Sequence, residues 1–246
     1  MDNAYTITPI CLGYNHQAEK SAFTYRRGPG TIITTAYLVW LISGNGLHIL
    51  VDSGGPDPSA AASMSYPHLS DAVYLRDALE EQGVSCHEID AVILSHLHWD
   101  HSYNLELFPH AKIYVQAEEL RHAVTPSLYD SYAYVATPNE GLPGWMTGFP
   151  QLVRLDGDSE LFPGIKAILT PGHTPGQQGV LVQTQEGLYL IASDMYPLFE
   201  NYEHKIPNGI CLSFESWYLS DARIRKLGAK VLPGHDPKVM SRQRYG

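Results

Sequence analysis

Seven consecutive residues, Ser95-His96-Leu97-His98-Trp99-Asp100-His101, bring three histidines and an aspartate together directly after the apolar run 91–94. Several imidazoles close together are not expected in a hydrophobic core. Imidazole nitrogen and carboxylate oxygen are, however, suitable ligands for zinc and its first-row neighbours. Alternate side chains of an extended segment point to one side, so His96 and His98 can share one metal ion. Asp100 and His101 follow where the chain must turn, and they can face a second metal ion.

Three later segments share one arrangement, in which a strand-like run leads through a turn to a side chain that can bind metal. His173 lies in a turn rich in proline and glycine, Asp194 stands at a strand end, and His235 follows a Pro-Gly pair. Sites are usually assembled on loops that a rigid scaffold holds in place. A single histidine beside a turn indicates little, but the whole ordered set predicts one metal site.

Strand-like and helix-like patterns alternate along the chain. Residues 4–52 predict a run of β structure, and residues 71–83 predict a helix that Ser70 or Asp71 caps and Gly83 ends. Further strands are predicted at 91–94, 112–115, 152–155, 165–170, 179–183, 188–192 and 231–232, with helices at 117–122 and 214–227. This alternation predicts a layered α/β architecture.

Size and composition predict one large domain over residues 1–246. The chain has 246 residues, 44% of them hydrophobic, and a net charge of −10. An acidic chain without a run of lysine or arginine is a poor partner for nucleic acid or an anionic membrane. We expect a cytoplasmic protein, because no signal peptide or spanning segment is visible and Cys11, Cys86 and Cys211 are typical of free thiols.

Residues 123–150 carry four prolines, three glycines and several large aromatic side chains. A loop of this length inside a compact domain is usually a lid or a binding loop, and its aromatics suggest that it covers something apolar. The alternative is a surface excursion pinned by its own aromatic side chains. The candidate substrate contacts, in this loop and in the segment that starts at 199, are Tyr129, Tyr132, Tyr134, Trp145 and Phe199.

The ordered set of candidate ligands resembles the metallo-β-lactamase superfamily, over nearly the whole chain from Asp52 to His235. The resemblance implies a four-layer αββα sandwich with a dinuclear metal site at one edge. It implies that the first metal is bound by His96, His98 and His173, that the second is bound by Asp100, His101 and His235, and that Asp194 bridges them. The cofactors implied are two divalent ions, zinc or, with such ligands, iron, manganese or cobalt.

Asp194 helps to distinguish which branch of the superfamily the chain resembles. β-Lactamases lack a bridging carboxylate at this place and commonly have a cysteine ligand, and RNA-processing members are larger and basic. The length, the aromatic loop and the two histidine turns are most similar to N-acyl-homoserine lactonases. The resemblance implies a monomer or homodimer that opens the lactone ring of a small molecule with an apolar portion. Alternatives are a thioesterase or an ester or amide hydrolase of the glyoxalase II type, and a non-catalytic metal- or ligand-binding protein.

Ring opening by a hydroxide that bridges the two metals assigns tasks to three side chains. Asp100 could pass the proton from the nucleophile to the leaving oxygen. Lactonases of this group have a tyrosine three residues after the bridging aspartate, whereas here that place holds Pro197 and the tyrosine is Tyr196. Tyr196 either helps to stabilise the oxyanion or packs in the core. Asp52 either orients a ligand histidine or is an ordinary turn residue.

Overall fold

The computed structural model describes residues 5–63, 69–134 and 142–246, which form two packed β-sheets with helices on both outer faces. The first sheet consists, in spatial order, of β1 (Thr6–Glu19), β2 (Ile32–Gly44), β3 (Leu47–Val51), β4 (Ala91–Ile93), β5 (Lys112–Gln116) and β6 (Leu152–Leu155). The second sheet has the order β11-β10-β9-β8-β7, with β7 (Ser159–Phe162), β8 (Ile165–Leu169), β9 (Gln178–Thr184), β10 (Gly187–Ser193) and β11 (Lys230–Pro233).

Six α-helices lie among the described residues. They are α1 (Pro58–Ser63), α2 (Leu75–Glu81), α3 (Ala117–Val124), α4 (Ser131–Tyr134), α5 (Phe199–His204) and α6 (Phe214–Arg225). Short 3-10 helices cover Lys20–Ala22, Cys86–Glu88, Leu105–Leu107, Gly144–Gln151 and Pro237–Ser241. None of the helices in the described ranges is long and apolar enough to cross a membrane.

Strand β2 explains why the sheets stack. Its residues alternate between two hydrophobic clusters, so that Leu38 and Trp40 face the second sheet while Val39 and Leu41 face the layer that contains α2. A strand buried on both faces is apolar at nearly every position, which is what the sequence of β2 shows. On the far side of the second sheet, a third cluster includes Trp217 of α6. The αββα sandwich is therefore confirmed.

The loops that carry the candidate ligands meet at one edge of the sandwich. Strands β3 and β4 pair in parallel, as do β10 and β11, so each pair ends at one edge of its sheet. Asp52 follows β3, the histidine motif follows β4, and Asp194 and His235 follow β10 and β11. His173 follows β8 and completes the group.

Most predicted strands and helices are present, with differences at their ends. The helix predicted at 71–83 is α2, but its N-cap is Tyr74, which makes no side-chain capping bond. The prediction that Ser70 or Asp71 caps this helix was wrong, because Ser70 pairs with Tyr14 in a β-bridge and Asp71 has a left-handed φ of 52°. Strand β7 and helix α5 were not predicted, since both are short and mix polar with apolar residues.

Candidate metal centre and cavity

Three buried imidazoles form the first half of the candidate centre. His96 and His98 follow β4, and His173 reaches them from the turn after β8. The ring centroids lie 4.5 Å apart for His96 and His98, 4.8 Å for His96 and His173, and 4.7 Å for His98 and His173. Nε2 of His173 is 3.0 Å from Nδ1 of His98. These nitrogens converge on a point that one metal ion could occupy.

Asp100, His101 and His235 form the second half. Oδ2 of Asp100 lies 3.6 Å from Nε2 of His101 and 3.7 Å from Nε2 of His235. The two histidines are buried, whereas the Asp100 side chain is 16% exposed. This half therefore combines carboxylate and imidazole ligands and reaches the surface of the site.

Asp194 lies between the two halves. Its Oδ1 is 3.0 Å from Nε2 of His235 and 3.4 Å from Nε2 of His101, both in the second half. Its Oδ2 is 3.5 Å from Nε2 of His173 in the first half. One carboxylate thus faces both groups of imidazoles.

Each ligand histidine except His98 uses its Nδ1 for a partner outside the cluster, which leaves Nε2 directed at the centre. The Nδ1 partners are Ser95 Oγ for His96 at 3.0 Å, Asp52 Oδ2 for His101 at 2.8 Å, Ile210 O for His173 at 2.6 Å and Ala36 O for His235 at 2.8 Å. Histidines that bind metal are typically oriented in this way by a carboxylate or a carbonyl. Asp52 holds His101, as expected for an orienting residue.

The free nitrogens of this cluster fit a metal ion. Nε2 of His96 and Nε2 of His101 are buried and have no hydrogen-bond partner within the described part of the chain. A buried polar atom without a partner costs free energy, and such atoms in a native protein need an explanation. Nitrogen and carboxylate donors that converge suit zinc and similar divalent ions, which would satisfy these atoms.

Burial and neighbouring charges set the pKa values of the histidines in opposite directions. Burial, together with the other imidazoles, lowers the pKa of His96 and of His98 well below the usual range. Burial also acts against the charged form of His101, but Asp100, Asp194 and Asp52 outweigh it and raise the pKa of His101 to about 10.

The same balance applies at the carboxylate between the two halves. Burial disfavours the charged form of His235, yet Asp194 outweighs it and raises the pKa of His235. In return, although burial acts to raise the pKa of Asp194, His235 and His101 hold it well below its usual range. Asp194 is therefore ionised, the form in which a carboxylate can bind a metal ion.

Unusual backbone conformations support the loops on both sides of the centre. Asp52 and Ser193 have left-handed φ values of 63° and 46°, which non-glycine residues seldom adopt and which cluster at functional sites. Their side chains meet at Ser95, whose Oγ donates to Asp52 and lies 2.8 Å from Ser193 Oγ. A Cβ on Gly234 would lie 2.9 Å from Oδ1 of Asp194, so the turn before His235 has no room for a side chain.

A cavity of about 460 Å³ opens onto the centre. Its walls include Asp100, Asp194, His98, His173 and His235. The rest of the lining comes from the ends of β1 and β2, from Phe23 between them, from Trp99 of the histidine motif and from α4. The side chains that line the cavity there are Asn15, Gln17, Glu19, Phe23, Thr35, Tyr37, Trp99 and Tyr132.

The five predicted substrate contacts lie in different environments, and only Tyr132 lines this cavity. Tyr134 is buried, with its ring 4.7 Å from the His98 ring, and Trp145 belongs to the hydrophobic cluster outside the first sheet. Tyr129 is exposed, and Phe199 packs against the cluster between the sheets. Residues 135–141 of the predicted lid 123–150 lie outside the described residues.

Tyr196 is completely buried and points away from the cavity. Its hydroxyl donates to Oδ1 of Asp221 at 2.7 Å, and its ring contacts Tyr202 and Trp217. Only its backbone supports the centre, because its carbonyl accepts from Gly234. A role for this hydroxyl in a reaction stays a prediction, and it requires that the side chain leave Asp221.

Several residues near the centre escaped the reasoning from sequence. Phe23 and Tyr37 line the cavity because the β1–β2 hairpin continues beyond the residues of β2 that pair with β3. Trp99 also lines the cavity, and its position inside the histidine motif is the one sequence feature that could have identified it. Glu119 is completely buried beside the motif, although a glutamate in the first turn of a helix is ordinarily exposed.

Comparison with known proteins finds N-acyl homoserine lactonases among the proteins that this chain is similar to. An N-acyl homoserine lactonase from Bacillus cereus is 25% identical over 200 residues, which cover 77% of this chain and 75% of the relative. N-acyl homoserine lactonase AttM from Rhizobium radiobacter is 29% identical over 218 residues, covering 80% and 81%. The predicted resemblance to this branch is confirmed.

Solved structures give the same result for the fold. The structure of a quorum-quenching N-acyl homoserine lactone lactonase superposes with a TM-score of 0.78 at 24% identity, covering 97% of this chain and 95% of that one. The sequence profile of the metallo-beta-lactamase superfamily matches residues 29–235, which include every candidate ligand. This chain therefore belongs to the metallo-beta-lactamase superfamily.

Proposed function

We propose that this chain is a metal-dependent hydrolase that opens a lactone ring, with an N-acyl-homoserine lactone as the first substrate to test. The observation that carries the proposal is the position of Asp194, one carboxylate that faces both groups of histidines beside a cavity. The lactonase relatives, at 25% and 29% identity, support this class of reaction.

In this proposal two ions share the site. His96, His98 and His173 would hold one ion, Asp100, His101 and His235 would hold the other, and Asp194 would contact both. Two divalent ions there would supply Lewis acidity and bring the pKa of a water molecule close to neutrality. Zinc suits the donors, and iron, manganese and cobalt suit them as well.

Asp100 is the side chain best placed to move a proton. Hydrolysis of a lactone joins a water oxygen to the carbonyl carbon and breaks the bond from that carbon to the ring oxygen. The water loses a proton and the ring oxygen gains one. Because the Asp100 carboxylate lines the cavity and is partly exposed, it can accept the first proton and return it to the leaving oxygen.

The cavity side chains outside the metal centre would contact the rest of the substrate. Phe23, Trp99 and Tyr132 offer aromatic surface to an apolar portion, while Asn15 and Thr35 offer polar groups to an amide or ester. The lining combines apolar and polar groups in similar proportion, which suits a small molecule that has both an apolar and a polar portion.

A substrate panel on purified protein tests the proposal, with metal content measured on the same sample. The panel contains N-hexanoyl-homoserine lactone, simple γ- and δ-lactones, S-lactoylglutathione and a chromogenic β-lactam. We expect the lactones to be hydrolysed fastest, with activity lost on chelation and restored by zinc. Preference for S-lactoylglutathione would instead favour a thioesterase, and bound metal without turnover of any compound would favour a non-catalytic protein.

A pair of histidine variants controls for loss of imidazole in general. His235→Gln removes a proposed ligand, whereas His110→Gln changes an exposed histidine outside the centre. We expect only His235→Gln to lower metal content and lactone hydrolysis. Equal behaviour of the two variants would contradict the proposed site.

A further inference from the structure

Glu119 is a buried carboxylate that belongs to neither half of the metal centre. We propose that Glu119 is a positioning residue that ties the loop of His96 and His98 to the loop of His173, and so sets the metal affinity of the first half. The inference rests on the proposed metal-dependent function, and it assigns a task to a residue that touches neither metal nor substrate.

The Glu119 carboxylate accepts four hydrogen bonds, two at each oxygen. Oε1 accepts from the backbone N–H of Leu97 at 3.0 Å and from the Tyr134 hydroxyl at 2.8 Å. Oε2 accepts from the Thr174 hydroxyl at 2.6 Å and from the backbone N–H of Gly176 at 3.1 Å. Leu97 stands between His96 and His98 in the chain, and Thr174 directly follows His173. One side chain therefore joins the two segments that carry all three ligands.

These bonds require a carboxylate rather than an amide. Each oxygen receives one backbone N–H, which can donate but cannot accept, so both oxygens must be acceptors. Within the described ranges Glu119 forms no ion pair with a lysine, arginine or histidine, and its four hydrogen-bond donors are neutral groups. Burying an anion without a cation costs free energy unless its oxygens are fully hydrogen-bonded. The four hydrogen bonds therefore allow the Glu119 carboxylate to be buried at this position.

Tyr134 extends the arrangement to the His98 ring. Its hydroxyl donates to Glu119, while its ring meets His98 edge to face with centroids 4.7 Å apart. On its other side the ring contacts His122, whose Nε2 bonds to Asp130 at 2.6 Å. Tyr134 is thus fixed by three contacts, and it fixes the orientation of His98 in turn.

Gly176 shows how closely the His173 loop approaches Glu119. A Cβ at Gly176 would lie 2.2 Å from the backbone nitrogen of Glu119. Real Cβ atoms never come so near, so a residue with a side chain at this position would push the loop away from α3. The loop is seated directly on the first turn of α3 because this position is glycine.

The second half has other supports. His101 is held by Asp52 and His235 by the carbonyl of Ala36, and neither bond involves Glu119. Loss of the Glu119 carboxylate should therefore weaken one metal position and spare the other. This selectivity separates a positioning role from a general contribution to folding.

The test is stepwise metal binding to metal-free Glu119→Gln protein, with Zn²⁺ in competition with a chromophoric chelator. The glutamine has one acceptor oxygen, so its amide nitrogen must face the N–H of Leu97 or of Gly176. We expect one of the two affinities to fall by about 10–100-fold, as for other residues that orient metal ligands, and the other to stay unchanged. The visible spectrum of the Co²⁺ form should change for the same equivalent of metal.

Glu118→Gln is the matched control, because Glu118 is the neighbouring residue on α3 and is exposed. We expect its affinities to equal those of the wild type. Two unchanged affinities in a folded Glu119→Gln protein, or an equal fall in both, would overturn the inference.

Milder variants cover the case in which Glu119→Gln does not fold. Thr174→Val and Tyr134→Phe each remove one hydroxyl donor and preserve the shape of the side chain. We expect a smaller loss of affinity at the same single position, and unchanged affinities in both would also overturn the inference. Because metal titration uses no lactone, failure of the substrate panel would contradict the proposed reaction and leave this result intact.

Discussion

The two halves of the candidate metal centre both contain histidines, but in opposite electrostatic settings. In the first half, His96 and His98 lie among other imidazoles, and their pKa values are lowered. In the second, carboxylates surround His101 and His235, and their pKa values are raised in spite of equal burial. Burial alone therefore does not decide the charge of a histidine here, since neighbouring carboxylates overrule it.

The supports of the two halves differ in the same sense. In the first half, backbone groups beside the candidate ligands bond to the Glu119 carboxylate, in addition to the ring contacts of His96 and His173. The second half is held at the ring itself, where Asp52 accepts directly from His101. Removing either support should affect a different metal position, and four experiments, three with variants and one by alkylation, bear on that contrast.

The largest effect is expected from Asp194→Asn, which removes the carboxylate shared by both halves. Because an amide cannot present two anionic oxygens, we expect loss of one metal ion and a fall in hydrolysis of more than about 100-fold, beyond that of outer partners. Metal analysis and initial rates measure this outcome. Asp156→Asn, an exposed position, is the control. Full activity with two metal ions retained would contradict the assignment of Asp194 as the bridging carboxylate.

Asp52→Asn should have the next largest effect, mainly on the second half, because Asp52 bonds the His101 ring directly and reaches His96 only through Ser95. Asparagine tolerates the left-handed backbone at this position, but its amide nitrogen must face a donor, either Ser95 or His101. We expect one metal affinity to fall by about 10–100-fold. The double variant Asp52→Asn, Glu119→Gln should have lower affinity at both metal positions. If only one affinity falls in the double variant, the two supports act on the same metal position.

Tyr196→Phe should leave the second half intact, because only the backbone of Tyr196 supports the turn before His235. We expect unchanged kcat for the lactone and a loss of about 1 kcal/mol in the free energy of unfolding, the usual worth of one hydrogen bond. Asp221 keeps its bonds from Arg225 in this variant.

Urea denaturation and steady-state kinetics measure the two effects of this variant. Tyr218→Phe, on the exposed side of α6, is the control. A large fall in kcat with unchanged stability would assign the Tyr196 hydroxyl to the reaction after all.

The smallest effect concerns Cys211, a reporter beside the first half. Burial raises the pKa of its thiol to about 11, and its Sγ donates to Gly172 next to His173. With a pKa near 11, roughly one molecule in a thousand is a thiolate at pH 8, so alkylation should be slow and should accelerate as the pH rises.

Mass spectrometry of iodoacetamide-treated protein identifies the modified cysteine. We expect Cys211 to stay protected at pH 8 after chelation, because hydrogen bonds that involve no metal hold the first half together. Rapid modification of the metal-free protein would show that the first half depends on metal for its structure.

Local signals in the sequence predicted much of the fold. The runs of β2 and β10 consist mainly of apolar and aromatic residues, and β2 is also rich in β-branched residues, which favours strands. Helix α2 began later than predicted because a left-handed turn at Asp71 and a bridge at Ser70 precede it. The bridge depends on Tyr14, which is distant in sequence.

Aromatic residues show where local reasoning fails at the site. Tyr132 and Trp145 belong to the same predicted loop, yet the first lines the cavity and the second packs in a hydrophobic cluster. Composition cannot separate them, because both are large and partly polar. Phe23 was not predicted, because it reaches the cavity from the connection between the two long strands β1 and β2.

The sequence by itself determined the ligand types and the order of the loops that carry them, because strand ends and turns are local features. Tertiary structure alone decided how each ligand is held and charged. Asp52 and Glu119 are ordinary acidic residues in the sequence, and they become supports of opposite halves only when strands from distant parts of the chain end at one edge. Hydrogen bonds and pKa shifts depend on distances of a few ångströms, which packing sets and sequence spacing does not.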